Sequence, residues 1–254
     1  MKRNKSFVAF MLAVLLLLSC TSSAHATVSA DTPPFSVNEN GDTYGDFFQT
    51  MEYGYDPDLI RAQGEDGTIG YVRIDELELP FPESPEAALA MQSAQEASGY
   101  TGRYINLYSS DGVTVIGRFF VSADIDDPTS SNAKSEITYS SPNTLNMPSY
   151  TATGWSTIQS VSRGIRYSTL IQSNQVTQSG WLGGKARLYS EDGTLVDSTD
   201  YKYSGTSTTQ YTVTKTYRTS SGYFYSWGIG CAWDNTSNIY GRMDVGKTAY
   251  RSPN

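Results

Sequence analysis

Histidine is almost missing from this chain of 254 residues: its one copy, His25, falls in an N-terminal stretch that reads as an export signal. The exported protein then carries no imidazole. That excludes Ser-His-Asp and Cys-His nucleophile systems, histidine zinc sites and imidazole acid–base catalysis. Cysteine is nearly as scarce, with Cys20 and Cys231 alone. Without the signal Cys231 has no partner, so apolar burial rather than a disulfide must hold the fold. Its setting, Gly230-Cys231-Ala232-Trp233, reads as strand and predicts a small buried side chain rather than a reactive thiol. No Gly-rich phosphate loop, Cys-x-x-Cys pair or Gly-x-Ser-x-Gly elbow is present. The longest apolar run, Phe7 to Leu18, has 12 residues. That is too short for a bilayer core of about 30 Å, so no integral membrane segment is expected after processing.

Lys2, Arg3 and Lys5 precede this run, and Ala24-His25-Ala26 follows it. This is the layout of a secretory signal over residues 1–26, cut after Ala26. A second route competes: Leu17-Leu18-Ser19-Cys20 has the form of a lipoprotein box, in which Cys20 is lipidated. Either route places the chain outside the cell or tethered to the outer side of the membrane.

Charge divides the rest. Thr27 to Asp127 hold 19 Asp/Glu against 4 Lys/Arg, a net of −15, whereas Pro128 to Asn254 hold 7 acids against 11 bases, a net of +4. Such an asymmetry predicts two modules whose surfaces attract. The acidic half repels nucleic acid. The other lacks a Lys/Arg cluster that would follow a phosphate backbone, so nucleic-acid binding is discounted.

Behind a polar lead over 27–44, residues 45–123 alternate strand signals with one helix. Ser84-Pro85-Glu86 supplies an N-cap, a proline at the first helical position and an acid in the first turn. The alanine-rich segment to Ser98 continues the helix, and Gly99 stops it. Gly70 to Ile74, Tyr104 to Tyr108 and Val113 to Val121 read as strands. Asp111-Gly112 between the last two predicts a type I′ hairpin with positive φ at both residues. The expectation is a small α+β module whose helix lies on its own strands. Residues 124–150, rich in Ser, Asn, Pro and Asp, read as a linker.

From 151 to 254, Thr/Tyr/Val-rich segments separated by Gly, Asn and Asp predict an antiparallel β-sandwich. The fold class is therefore mainly β. Leu188 to Val196 repeats the Asp-Gly hairpin. From Tyr223 to Trp233 bulky residues alternate with Ser, Gly and Ala, which predicts one strand with an aromatic core face and a bare face open to another backbone or a flat ligand.

Gly70-Tyr71-Val72-Arg73, Ser84-Pro85-Glu86-Ala87-Ala88 and Leu107-Tyr108 through Asp111-Gly112 to Val115-Ile116-Gly117 and Phe119 resemble a module of uncharacterised secreted proteins of Gram-positive bacteria. The resemblance covers about a third of the chain. It implies an extracellular bacterial protein and carries no activity.

Paired carboxylates, as used on glycosides, are the one common hydrolytic apparatus left. Residues 128–254 offer Glu136, Glu191, Asp192, Asp197, Asp200, Asp234 and Asp244. Asp234 is the leading catalytic candidate, since a carboxyl beside Trp233 is expected to have a raised pKa. Acids at turns also cap and solvate loops, which accounts for most of these without chemistry. Ser131-Asn132-Ala133-Lys134 matches Ser-x-x-Lys but lies in linker-like sequence. Asp124 to Asp127 offers oxygens to a cation yet lacks the glycine and distal glutamate of a calcium loop. No cofactor or metal is called for.

The half from Pro128 holds all four Trp and 12 of the 19 Tyr. Such side chains suit binding surfaces, and planar rings suit sugar faces. Most belong to a sandwich core; Trp155 and Trp181, each after a Gly in loop-like sequence, are expected partly exposed as binding residues. The sequence thus reads as an exported, non-catalytic surface-binding protein for cell-wall glycan or a protein partner. Two alternatives stand beside it: a carboxylate-dependent glycan hydrolase, and a secreted effector whose acidic module masks a basic sandwich.

Overall fold

A computed structural model describes residues 34–126 and 135–254. The signal expected over residues 1–26, with Cys20, His25 and Ala26, and the Ser131–Lys134 motif, lie outside the described residues. The protein is mainly β, with 48% of the described residues in strands against 11% in helices.

The turns explain where strands begin and end. Gly64-Glu65-Asp66-Gly67, Ser109-Ser110-Asp111-Gly112 and Ser190-Glu191-Asp192-Gly193 share one design. In each, the glycine N–H donates to the first residue's carbonyl at 3.0 Å, and the aspartate accepts a backbone N–H beyond the glycine (Thr68, Thr114 and Thr194). Only the glycines take positive φ, at 86°, 72° and 83°. The type I′ expectation is therefore corrected. The aspartate stays at negative φ because its side chain already closes the turn, and the left-handed step falls to glycine, which has no Cβ to clash.

Helix α1 (Phe47–Tyr53) was not expected from sequence. It starts with a capping box, Asp46 accepting from the N–H groups of Phe48 and Gln49 while Gln49 Oε1 accepts from Asp46 N–H at 3.1 Å. It ends at Gly54, which is left-handed. Helix α2 (Ile74–Leu77) is a single turn. Helix α3 (Pro85–Ala97) follows the sequence reading closely: Ser84 Oγ accepts from Ala87 N–H at 3.2 Å, and Gly99 has φ 68°.

Three sheets form. The largest runs Ser36–Val37, Thr43–Gly45, Leu59–Gln63, Ile69–Arg73, Gly102–Tyr108, Val115–Ser122, Leu195–Thr199, Arg187–Ser190 and Phe224–Ser226. A second contains Thr208–Arg218, Gly164–Thr177, Thr151–Val161 and Thr138–Tyr139, with Asn143–Asn146 also on Thr151–Val161. The third is Lys202–Tyr203, Leu182–Lys185, Ile229–Asp234 and Ile239–Asp244.

The expected division at 124–150 does not separate two cores. Strand Leu195–Thr199 pairs in parallel with Leu59–Gln63 at Leu195↔Ala62 and with Val115–Ser122 at Ser198↔Val121, so the strands from 59 to 122 close upon it. One buried cluster draws Ile60, Val72, Leu107 and Phe119 together with Tyr189, Leu195, Tyr225 and Trp227. Helix α3 lies on the third sheet rather than on neighbours in sequence: Ala88 packs with Tyr203, Cys231 and Trp233, and Gln92 Oε1 accepts from Tyr203 N–H at 3.1 Å. Residues Phe35–Asn254 therefore form one compact unit. The linker reading is corrected in the same way, since Thr138–Tyr139 and Asn143–Asn146 are strands on the second sheet. The polar lead also contains paired strands, Ser36–Val37 with Thr43–Gly45.

The aromatic segment is likewise not one strand. Phe224–Ser226 belongs to the first sheet and Ile229–Asp234 to the third, with the crossing at Trp227-Gly228. Both faces are buried. The second sheet covers the bare side: Ile171 packs over Gly230, and a Cβ on Gly228 would fall 1.7 Å from Thr169 Oγ1. Another backbone approaches there, as the small residues allow. The second and third sheets pack face to face around Ala152, Ile171, Leu182, Ala232 and Met243, in the manner of a sandwich.

Candidate functional site

Below α1 the chain builds a polar core around one carboxylate. Glu78, just past α2, accepts from Lys185 Nζ at 2.8 Å, from Tyr201 Oη at 2.9 Å and from Arg187, with Arg242 Nη1 at 4.0 Å. Lys185 and Arg187 are fully buried because they stand on two consecutive short strands inside the sheets. Lys185 also donates to Leu77 O at 2.6 Å, and the Arg187 guanidinium lies 5.5 Å from the Trp227 ring centre. Burial alone would raise the Glu78 pKa, but the charges of Arg187 and Lys185 outweigh it and hold the carboxyl well below its usual range.

A cleft of about 790 Å³ opens over this network. Its walls are Met51, Tyr55 and Asp56 from α1 and the segment after it, and Arg242, Asp244 and Lys247 from the end of strand Ile239–Asp244. Trp227 and Ile74 also line it. Arg242 Nη2 lies 2.9 Å from Asp244 Oδ1 and 3.6 Å from Asp56 Oδ2, so one guanidinium holds two carboxylates on the cleft wall. The second oxygen of Asp56, Oδ1, is buried without a hydrogen-bond partner. Lys247 sits between rings, 4.4 Å from the centre of Tyr225 and 4.1 Å from that of Tyr250. The arrangement brings a lysine ammonium, a guanidinium with two carboxylates, and aromatic and aliphatic side chains around one opening, which suits a ligand with an anionic group and a flat or apolar part.

The residues expected from sequence lie elsewhere. Asp234 is not the raised carboxyl that its neighbour Trp233 suggested. It accepts from the N–H groups of Thr236 at 2.8 Å and Ser237 at 3.3 Å, and these hold its pKa below the usual range. Trp155 is half-buried in mid-strand, opposite Leu170 on the outer face of the second sheet, rather than in a loop. Trp181 is half-buried and stacks on Tyr150 at 5.7 Å beside the core between the second and third sheets. The two tryptophans thus occupy different faces of the second sheet and do not form a joint surface. Cys231 is buried, and burial pushes its thiol pKa far up.

Of the other acids, Asp192 pairs with Arg61 at 3.2 Å and Asp200 with Arg103 at 3.3 Å. Asp197 sits at the seam between the first and second sheets, where burial raises its pKa to about 6 against the opposing charge of Lys215. Asp244 alone of that set reaches the cleft. Glu78, Asp56 and α1 were missed, although Asp46-x-x-Gln49 is a capping signature in the sequence.

No three Asp, Glu or Cys groups stand together as metal ligands among the described residues. No described helix is long and apolar enough to cross a membrane. Comparison with family models, with curated proteins and with solved structures finds no match to this chain.

Proposed function

We propose that this chain is an exported, non-catalytic binding protein that engages a cell-surface polymer or protein through the cleft between α1 and the 242–247 segment. The cleft itself carries the reading: aromatic and aliphatic walls, and charges of both signs, among them two carboxylates that pair with Arg242. The N-terminal signal pattern supports an extracellular setting. A detachable acidic mask is the less favoured alternative, because releasing residues 45–123 would break strand pairings and split a shared core.

A second reading rests on one observation, the pair Asp56 and Asp244 on a single guanidinium in a cleft lined by Trp227 and Tyr55. Glycoside hydrolysis uses a pair of carboxylates, and these two line one cleft.

One experiment addresses both. The exported chain is co-sedimented with purified insoluble cell wall across a salt series, and the supernatant is assayed for soluble sugar. Met51, exposed on α1, is replaced in the variant Met51→Trp to fill the mouth of the cleft. Salt-resistant binding without sugar release, weakened at least tenfold by Met51→Trp, supports the binding reading. Sugar release abolished by Asp56→Asn moves the assignment to the hydrolase. Binding indifferent to Met51→Trp removes the cleft from the function.

A further inference from the structure

The outer face of the second sheet shares no lining residue with the cleft. Strand register fixes which side chains stand on it. Trp155, Leu170 and Thr212 form one row across three strands, and Tyr139, Thr157, Ser168 and Thr214 form the next. Thr153, Gln172 and Gln210 make a third row, on the other side of Trp155. The alternate residues Ile158, Tyr167, Ile171 and Val213 are buried in the cores, so the first set faces outward. Tyr139 is 55% exposed and Trp155 half-buried. These two are diagonal neighbours on adjoining strands, close enough for both rings to meet one ligand. An opening of about 300 Å³ lies on this face, bordered by Tyr139, Thr157, Leu170, Gln210 and Thr212. Ligand pockets begin at about that volume.

The charge of the face narrows its ligand. A protein surface ordinarily carries Lys, Arg, Asp or Glu at about a quarter of its positions or more. The described lining of this opening holds no carboxylate, in a chain with 26 Asp and Glu, and one cation, Arg166. It offers neutral groups instead. The hydroxyls of Thr157 and Thr212 and the amides of Gln172 and Gln210 have no partner among the described residues, and each can both donate and accept. The floor beneath them is tied, since the Ser168 and Thr214 hydroxyls hydrogen-bond each other at 3.0 Å.

We propose that this face is a second binding site, for a strand of uncharged polysaccharide lying across Tyr139 and Trp155 with its hydroxyls on the threonine and glutamine side chains. A sugar ring pairs an apolar C–H face, which suits aromatic rings, with hydroxyls that donate and accept. An acidic polymer would find Arg166 alone, and a basic one no carboxylate. A protein interface is centred on aromatic, Met and Arg side chains, whereas threonine and glutamine predominate here.

The test applies the exported chain to a microarray of neutral and acidic glycans, with and without about 0.5 M salt. Binding to neutral glycans is expected, unmoved by salt because no ion pair is screened. Tyr139→Ala and Gln210→Glu alter exposed side chains, should keep the parent's thermal transition, and should each weaken that binding at least tenfold. Trp155→Ala should abolish it, and Met51→Trp, which blocks the cleft, should leave it intact. Binding confined to acidic glycans, or neutral binding that survives both Tyr139→Ala and Gln210→Glu, overturns the proposal. Failure on every neutral glycan also overturns it and leaves the face to a protein partner. Neutral binding lost in Met51→Trp but kept in Tyr139→Ala moves the glycan to the cleft, which removes the second site and spares the cleft reading.

Discussion

Glu78 accepts a hydrogen bond from Lys185 Nζ at 2.8 Å, tying an acid from the strongly acidic half of the chain to a base that is fully buried in the other half. The halves differ in charge, as the sequence indicates, but the attraction acts inside a common core rather than across a surface between modules. Arg242–Asp56 repeats the pattern, while Arg61–Asp192 and Arg103–Asp200 join the halves with the signs reversed. An exposed pair such as Arg61–Asp192 contributes little, typically about 0–1 kcal/mol. The central one is different because breaking it strands two buried cations.

Replacing Glu78 with Ala should therefore destabilise the protein by about 3–5 kcal/mol. Urea unfolding monitored by tryptophan fluorescence measures this. Loss below about 1 kcal/mol would mean that Lys185 and Arg187 find water or another acceptor, and the carboxylate is not the organising group.

Asp197 should make stability depend on pH. Its folded pKa of about 6 lies above the ordinary value of 3.8, so between these values the folded protein holds a proton that the unfolded chain releases. The stabilisation is complete below about pH 4 and is lost as pH rises through about 6. Asp197→Asn, which mimics the protonated form, should match the parent near pH 4 and exceed it at pH 7.5 by up to about 3 kcal/mol. Denaturant midpoints across pH 4–8 test the sign: a variant less stable than the parent at pH 7.5 contradicts it.

Gly228 faces Thr169 with no room for a methyl group. Gly228→Ala should cost about 1–3 kcal/mol or more through overpacking. Paired with Thr169→Ala, which removes the obstructing hydroxyl, part of that loss should return. Thermal melts of the two single variants and the double variant decide it, because additive losses would place the strain elsewhere.

Cys231 should stay unlabelled by a thiol reagent in the folded state at pH 8 and react fully in denaturant, since burial disfavours its thiolate. Mass spectrometry after timed exposure reads this directly. Rapid labelling of the native protein would indicate local opening of strand Ile229–Asp234.

Much of the local structure was legible in the sequence. Ser84-Pro85 set the start of α3 and Gly99 its end, because capping chemistry acts within a few residues. The Asp-Gly turns marked the hairpins, although the dipeptide alone did not distinguish a two-residue turn from the longer, side-chain-closed one. The alternation at Tyr223–Trp233 misled, since it carries no sign of a change of sheet at Trp227-Gly228. The candidate cleft was nearly illegible: Asp56, Glu78, Arg242 and Lys247 share no period, and each on its own resembles an ordinary solvated charge.

Composition and neighbours along the chain were enough to set the mainly β class, the caps of α3 and the positions of the Asp-Gly turns. Which strands share a sheet, why the acidic and basic regions form one core, and which charges meet around Glu78 were set only by packing in three dimensions. Those outcomes depend on matching faces brought together over more than 100 residues, as between Glu78 and Lys185. Closing so long a loop adds only slowly growing entropic cost, so complementarity of the surfaces, invisible in any local window, selects the partner.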